Sequence, residues 1–148
     1  MRRHSRVIGT TLAVLLGSTS LAMASARVVL IGIDIKPGSF LNSINPATGG
    51  ATPVAILGDV DFDVSAIDPE TLTLGTGGVK TVGKKDRQLC SIEDVSGPLG
   101  VPDGLDDLVC HFVTASITYE SGDTEATISG ELLDGTPIEG SDSVNIVP

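Results

Sequence analysis

From Val28 onward the chain alternates apolar and polar residues with a period of two, the spacing that lets a β-strand turn one face to a core and the other to water. In the run Val28 to Lys36, the residues Val29, Ile31, Ile33 and Ile35 alternate against Asp34 and Lys36, and Pro37-Gly38 ends the strand. Ser39 to Gly50 is rich in Asn, Ser, Pro and Gly and predicts a loop. Thr52 to Leu57 predicts a short apolar strand, with Pro53 arguing for a sheet edge. Asp59 to Val64 alternates strictly and predicts a strand carrying Asp59, Asp61 and Asp63 on one face. Ile67-Asp68-Pro69 then predicts a turn into a strand at Thr71 to Leu74, which Gly75 to Gly78 ends.

The second half continues in the same way. Val79 to Val82 and Arg87 to Val95 flank the basic turn Gly83-Lys84-Lys85-Asp86 and predict a hairpin. Leu108 to Tyr119 is rich in strongly β-forming residues, and Gly122-Asp123 turns the chain back. Glu125 to Leu133 places Ala126, Ile128 and Gly130 inward, and Asp134-Gly135 is a strong hairpin signal. The last strand is expected at Ser143 to Val147. No stretch of this region has helical periodicity, so eight to ten short strands imply an all-β fold, an antiparallel β-sandwich of the Ig-like or a related kind.

The first residues follow a different rule. Arg2, Arg3 and Arg6 precede an apolar run from Val7 to Leu21, and Ala22-Met23-Ala24 or Ala24-Ser25-Ala26 supplies small residues at a cleavage spacing. This predicts a secretory signal peptide over residues 1–26 and one β domain over residues 27–148. Gly and Thr interruptions argue against a retained membrane anchor, and no later segment is apolar enough to span a bilayer. Losing those three arginines would take the formal net charge from −10 to −13. So acidic a surface repels nucleic acid and anionic lipid and favours cations.

Charge and cysteine come together in one segment. Cys90 to Cys110 reads C-S-I-E-D-V-S-G-P-L-G-V-P-D-G-L-D-D-L-V-C, with an apolar run on either side of a Gly, Pro and Asp loop. Two cysteines in an exported chain predict a Cys90–Cys110 disulfide. Asp94, Ser96, Asp103 and Asp107 follow the order of ligands in an oxygen-rich calcium loop, in which carboxylates and hydroxyls alternate before a glycine turn. The competing reading is an acidic connecting loop pinned by the disulfide, without metal.

Other chemistry is sparse. His111 adjoins Cys110 on a predicted strand, where neighbours point to opposite faces and cannot form a nucleophile–base pair. There is no phosphate-cradling Gly-rich loop opening a helix, and no Gly-x-Ser-x-Gly turn. The chain has no Trp, and Phe62, Phe112 and Tyr119 sit in alternating runs that place them in the core. We therefore expect no catalytic residues and no organic cofactor.

The runs I-D-I-K-P-G-S (Ile33 to Ser39), N-S-I-N-P (Asn42 to Pro46), P-V-A-I-L (Pro53 to Leu57), D-F-D (Asp61 to Asp63), D-L-V-C-H-F (Asp107 to Phe112) and G-D-T-E-A-T-I-S-G (Gly122 to Gly130) are distinctive. With D-G-T-P-I-E-G-S-D-S-V-N-I-V (Asp134 to Val147), they resemble a largely uncharacterised family of secreted prokaryotic β domains. In that family the central segment is similar to D-V-N-G-D-G-x-x-D-L, a dockerin-like calcium loop. The resemblance implies Asp94, Ser96, Asp103 and Asp107 as its ligand positions, here interrupted by Pro98 to Pro102. It also implies a secreted or periplasmic location and a β fold. With no ordered nucleophile and base in the sequence, the leading function is a non-enzymatic domain serving structure, adhesion or attachment to an envelope or matrix partner, stiffened by calcium. The alternative is an accessory carbohydrate-binding or hydrolytic domain with a site among the surface carboxylates.

Overall fold

A computed structural model describes residues 17–18, 20–21, 25–95 and 101–148. The leader expected over residues 1–26 falls mostly outside this set, and Ser96 falls outside it altogether. The described chain is β throughout, in the order β1 (Val29–Leu30), β2 (Gly32–Ile35), β3 (Ser43–Ile44), β4 (Ala51–Leu57), β5 (Ile67–Leu74), β6 (Gly77–Gly78), β7 (Thr81–Val82), β8 (Arg87–Gln88), β9 (Cys90–Glu93), β10 (Asp107–Val113), β11 (Glu125–Leu132), β12 (Pro137–Ser143) and β13 (Asn145–Ile146). Two short 3-10 turns, Val64–Ala66 and Thr114–Ser116, interrupt it.

Two sheets form the sandwich. One has the order β1-β12-β11-β5-β6 and the other β2-β4-β10-β9, with two small ribbons, β3 with β13 and β7 with β8, at the margins. Pairing within the large sheets is antiparallel except for β1, which runs parallel to β12. The inward residues of both sheets form one core, in which Ile35, Val54, Ile56, Leu74, Phe112 and Ile128 are completely buried. Alternation is thus the cause of the architecture: each strand offers one apolar face, and two such faces cover each other.

The first strand run changes sheets. β1 pairs with β12, Ile31 still donates its N–H to the Glu139 carbonyl at 2.9 Å, and β2 then pairs with β4. This close crossing requires Gly140, because a Cβ there would stand 2.6 Å from the Ile31 carbonyl oxygen.

Several expectations need correction. The Thr52–Leu57 strand is not at an edge: β4 lies between β2 and β10. Pro53 is opposite His111, whose N–H and C=O turn away to Leu89 and Lys80, so β10 asks nothing of the missing Pro53 donor. On the other side Pro53 accepts from Lys36, where β2 has already ended and Lys36 bends to φ 54°. Asp59 to Val64 is not a strand but a tight turn closed by an Asp59–Phe62 bridge and followed by a 3-10 turn. The turn expected at Ile67-Asp68-Pro69 is a bulge inside β5, where the pairing with β11 slips between Ser129 and Glu131. β12 was not anticipated as a strand, yet it pairs along the whole of β11 across the Asp134-Gly135 hairpin.

Candidate functional site

The Cys90 to Cys110 segment is built around a strand pair. β9 and β10 are antiparallel neighbours, Cys90 faces Cys110 directly, and the two are joined as a disulfide with Cα atoms 4.1 Å apart. The loop between them starts and ends at adjacent points, Glu93 facing Asp107.

Asp107 opens β10 and is fully buried. Its Oδ1 accepts the Gly58 N–H at 3.0 Å and its Oδ2 accepts the Val95 N–H at 2.8 Å. One carboxylate therefore joins the end of β4, the end of β9 and the start of β10. Charge-assisted bonds to main-chain donors compensate the loss of water around a buried anion. Gly58 is required here, since a Cβ would run into the Asp106 carbonyl oxygen.

Asp94 performs a second closure. Its Oδ1 accepts the Asp103 N–H at 3.0 Å and its Oδ2 the Gly104 N–H at 2.9 Å, so it clasps the far side of the loop. Asp103 in turn accepts the Leu105 N–H at 2.9 Å, and Gly104 takes a φ of 85° that suits glycine. The structure thus brings Asp94, Asp103 and Asp107 to one end of the loop, while Ser96 lies outside the described residues. Among the described residues, the groups that Asp94 and Asp107 accept from are main-chain N–H donors, which suit an anion. Among the described residues no three His, Cys, Asp or Glu side chains are grouped to hold a metal ion. By themselves, then, the described residues do not compose a calcium shell; further oxygens would have to come from outside them.

The second acidic set lies close by. Asp59, Asp63 and Asp106 line one cleft of about 340 Å³, with Phe62 and Leu105 beside them. Sequence treats these acids as two separate groups; the close packing of Gly58 on Asp106 is what makes them neighbours. Asp59 accepts the Asp61 N–H at 2.6 Å and Asp63 accepts the Ser65 N–H at 2.8 Å, so both also order their own turns. The Ser65 side chain, and then its N–H, hold Asp63 below the usual carboxylate range. His111 is half-buried on β10.

A further polar group lies where β2, β12 and the loop after β2 meet. Asp142 on β12 accepts the Ile35 N–H at 2.9 Å and an Asn42 Nδ2–H at 3.0 Å, both on Oδ2. Asn42 also donates to the Ser143 carbonyl at 2.8 Å. Asp34 is buried beside them, and burial first, the Asp142 carboxylate second, push its carboxyl up from the ordinary range. The available signal was an acid flanked by isoleucines, which alternation alone places outward. It is buried inside β2, paired to Ala55 of β4 and near the Asp142 carboxylate of β12.

No family model, curated protein or solved structure matches the chain. Fold and site together define an all-β sandwich with a disulfide-closed acidic loop. No helix among the described residues is long and apolar enough to cross a membrane.

Proposed function

We propose that the chain is a non-enzymatic secreted or periplasmic β domain with a structural or adhesive role. The observation that carries this reading is Asp107: the most buried acid of the central segment accepts two main-chain N–H groups and serves the fold. Asp94, Asp59 and Asp63 are employed in the same manner, each on backbone donors. A carboxylate so held is a poor general base, because lone pairs that would take a substrate proton are engaged with main-chain donors. The disulfide supports an oxidising compartment. The resemblance to secreted prokaryotic β domains points to the same location, and an envelope or matrix partner suits a domain placed there.

Calcium enters this reading as a stabiliser of the central loop. Asp94, Asp103 and Ser96 would be its ligands, while Asp107 stays an internal acceptor. A cation bound only by the folded chain contributes about 2.7 kcal/mol at a hundredfold excess over Kd. Extracellular sites of this kind bind at roughly 10⁻⁴ to 10⁻³ M, so millimolar calcium is the relevant test. Melting in chelator and in calcium should differ, and Asp94→Ala should lose that difference.

The cleft between Asp59, Asp63 and Asp106 favours a second reading, an accessory carbohydrate-binding or hydrolytic site. A screen of esters, peptides and glycosides, with and without calcium, separates the two. No turnover is expected. Turnover abolished by Asp106→Ala would replace the structural reading with the hydrolytic one.

A further inference from the structure

A pocket of about 220 Å³ is lined from four places: Ser43 in β3, Thr52 in β4, Thr114 just after β10 and Lys36 at the bend after β2. No acid is among the residues lining it, in a chain with 19 acidic residues against nine Lys and Arg. The acidic cleft lies at the other end of β4, whose seven residues span roughly 20 Å. The Debye length is about 8 Å at physiological salt, so the charges of that cleft are screened here.

The polar groups around the pocket are donors with hydrogens to spare. Thr52 and Thr114, each 4 % exposed, hold their hydroxyls 3.0 Å apart. That bond uses one of their two hydrogens, and the other has no acceptor among the described residues. Ser43 Oγ accepts from Asn145 Nδ2 at 3.3 Å and keeps its own hydrogen. Lys36 is half-buried, and its ammonium gives one hydrogen to the Ser43 carbonyl at 2.7 Å, with two left. Its main chain is held at φ 54° by an N–H bond to the Pro53 carbonyl at 2.8 Å. Side-chain-bearing residues seldom adopt that conformation, and those that do gather at ligand sites.

We propose that this pocket binds a carboxylate, carried by a small organic acid or by a uronic acid unit of a matrix polymer. The Lys36 ammonium supplies the opposite charge, while Ser43 and the Thr52–Thr114 pair supply hydrogen bonds to the oxygens. A carboxylate's single charge is matched by the single ammonium. A phosphate group, at about −1.5 to −2, would exceed it. The volume falls below the roughly 300–1,000 Å³ of sites for drug-sized molecules and suits one sugar ring or one short acid. The site owes nothing to the central loop or the acidic cleft, so it stands whether or not calcium binds there.

The test follows amide NMR shifts of the exported protein in calcium-free buffer, so that no cation bridges a probe to the surface acids. The probes are sodium glucuronate, sodium acetate, glucose and inorganic phosphate. Glucuronate and acetate should give saturable shifts at Lys36, Ser43, Thr52 and Thr114, and glucose none. Affinity for acetate equal to or above that for glucuronate assigns the pocket to small acids; tighter binding of glucuronate assigns it to uronic acids. Lys36→Gln keeps a donor for the Ser43 carbonyl but loses the charge, and should weaken both by about tenfold or more. Thr52→Val with Thr114→Val removes both hydroxyls, so neither is left unpaired. That pair of changes should also weaken binding, while amide shifts away from the pocket stay those of the parent. Glucuronate without saturable shifts, glucose binding as well as glucuronate, phosphate binding more tightly than either acid, or undiminished binding by Lys36→Gln overturns the proposal.

Discussion

Two buried aspartates, at different places in the same sandwich, meet opposite surroundings. Asp107 accepts two main-chain N–H groups, one from each neighbouring segment. Asp34 has an oxygen with no donor and a second carboxylate, Asp142, acting against it. Burial is nearly the same, so burial alone does not say whether an acid supports a fold. What decides is the sign of the groups that replace water. N–H donors make an anion part of the framework; another carboxylate makes it a demand for a proton or a cation.

The largest effect should come from the satisfied acid. Asp107→Ala leaves the Gly58 and Val95 N–H groups without their acceptor, at about 1–3 kcal/mol for each buried donor, so a loss of about 4 kcal/mol in urea unfolding is expected. A loss under about 1 kcal/mol would place Asp107 among ordinary surface acids. Next comes the disulfide beside it. Opening the Cys90–Cys110 bond, with its separation of 20 residues, by a paired Cys→Ala change should cost about 3 kcal/mol. Intact mass and alkylation before and after reduction verify the bond in exported protein.

Asp94 should matter less, because it clasps a half-exposed loop and water can replace it. Asp94→Ala is expected to cost about 1 kcal/mol in chelator, and to raise proteolytic nicking near Gly104 more than it lowers Tm. Nicking unchanged from the parent would mean that the disulfide alone closes the loop.

The smallest effect is spectroscopic. Tyr119 is the chain's single tyrosine, and its hydroxyl is buried without a partner. Burial first, the Asp123 charge second, push it up to about 12 from 10.0. The unfolded chain therefore loses this proton first. The contribution of Tyr119 is complete below pH 10 and lost as pH rises towards about 12. Ultraviolet titration of tyrosinate should show a single, late midpoint; a midpoint near 10 would mean that the hydroxyl is open to water.

Alternation made the architecture legible, because a period of two has one physical meaning and it recurs in most segments of the chain. The Cys90–Cys110 pairing was legible for a similar reason: both cysteines sit in β-forming runs flanking one loop. Features that depend on distant partners were not. Pro53 reads as an edge residue until one sees that His111 directs its own donor and acceptor away from it. Asp59 to Val64 has the pattern of a strand, but its acids bond to nearby main-chain N–H groups and fold the segment into turns. β12 is poor in apolar residues, its inward face reading Ile138, Gly140 and Asp142, and only the ladder with β11 makes it a strand. In the candidate site, spacing proposed Asp94, Ser96, Asp103 and Asp107 as a set, yet it could not say which way the carboxylates turn. Nor could it join Asp34 to Asp142, which are brought near each other by a contact of β2 with β12 that no local pattern encodes.

One measurement tests most directly whether these acids are framework or chemistry. Asp107→Asn and Asp34→Asn are made separately and unfolded in urea, in chelator, at neutral pH. Both changes keep volume and remove one charge, so only the surroundings differ. The account predicts opposite signs: Asp107→Asn loses about 3 kcal/mol, because an amide N–H₂ now meets a main-chain N–H, while Asp34→Asn gains stability. Equal shifts of the same sign would contradict it.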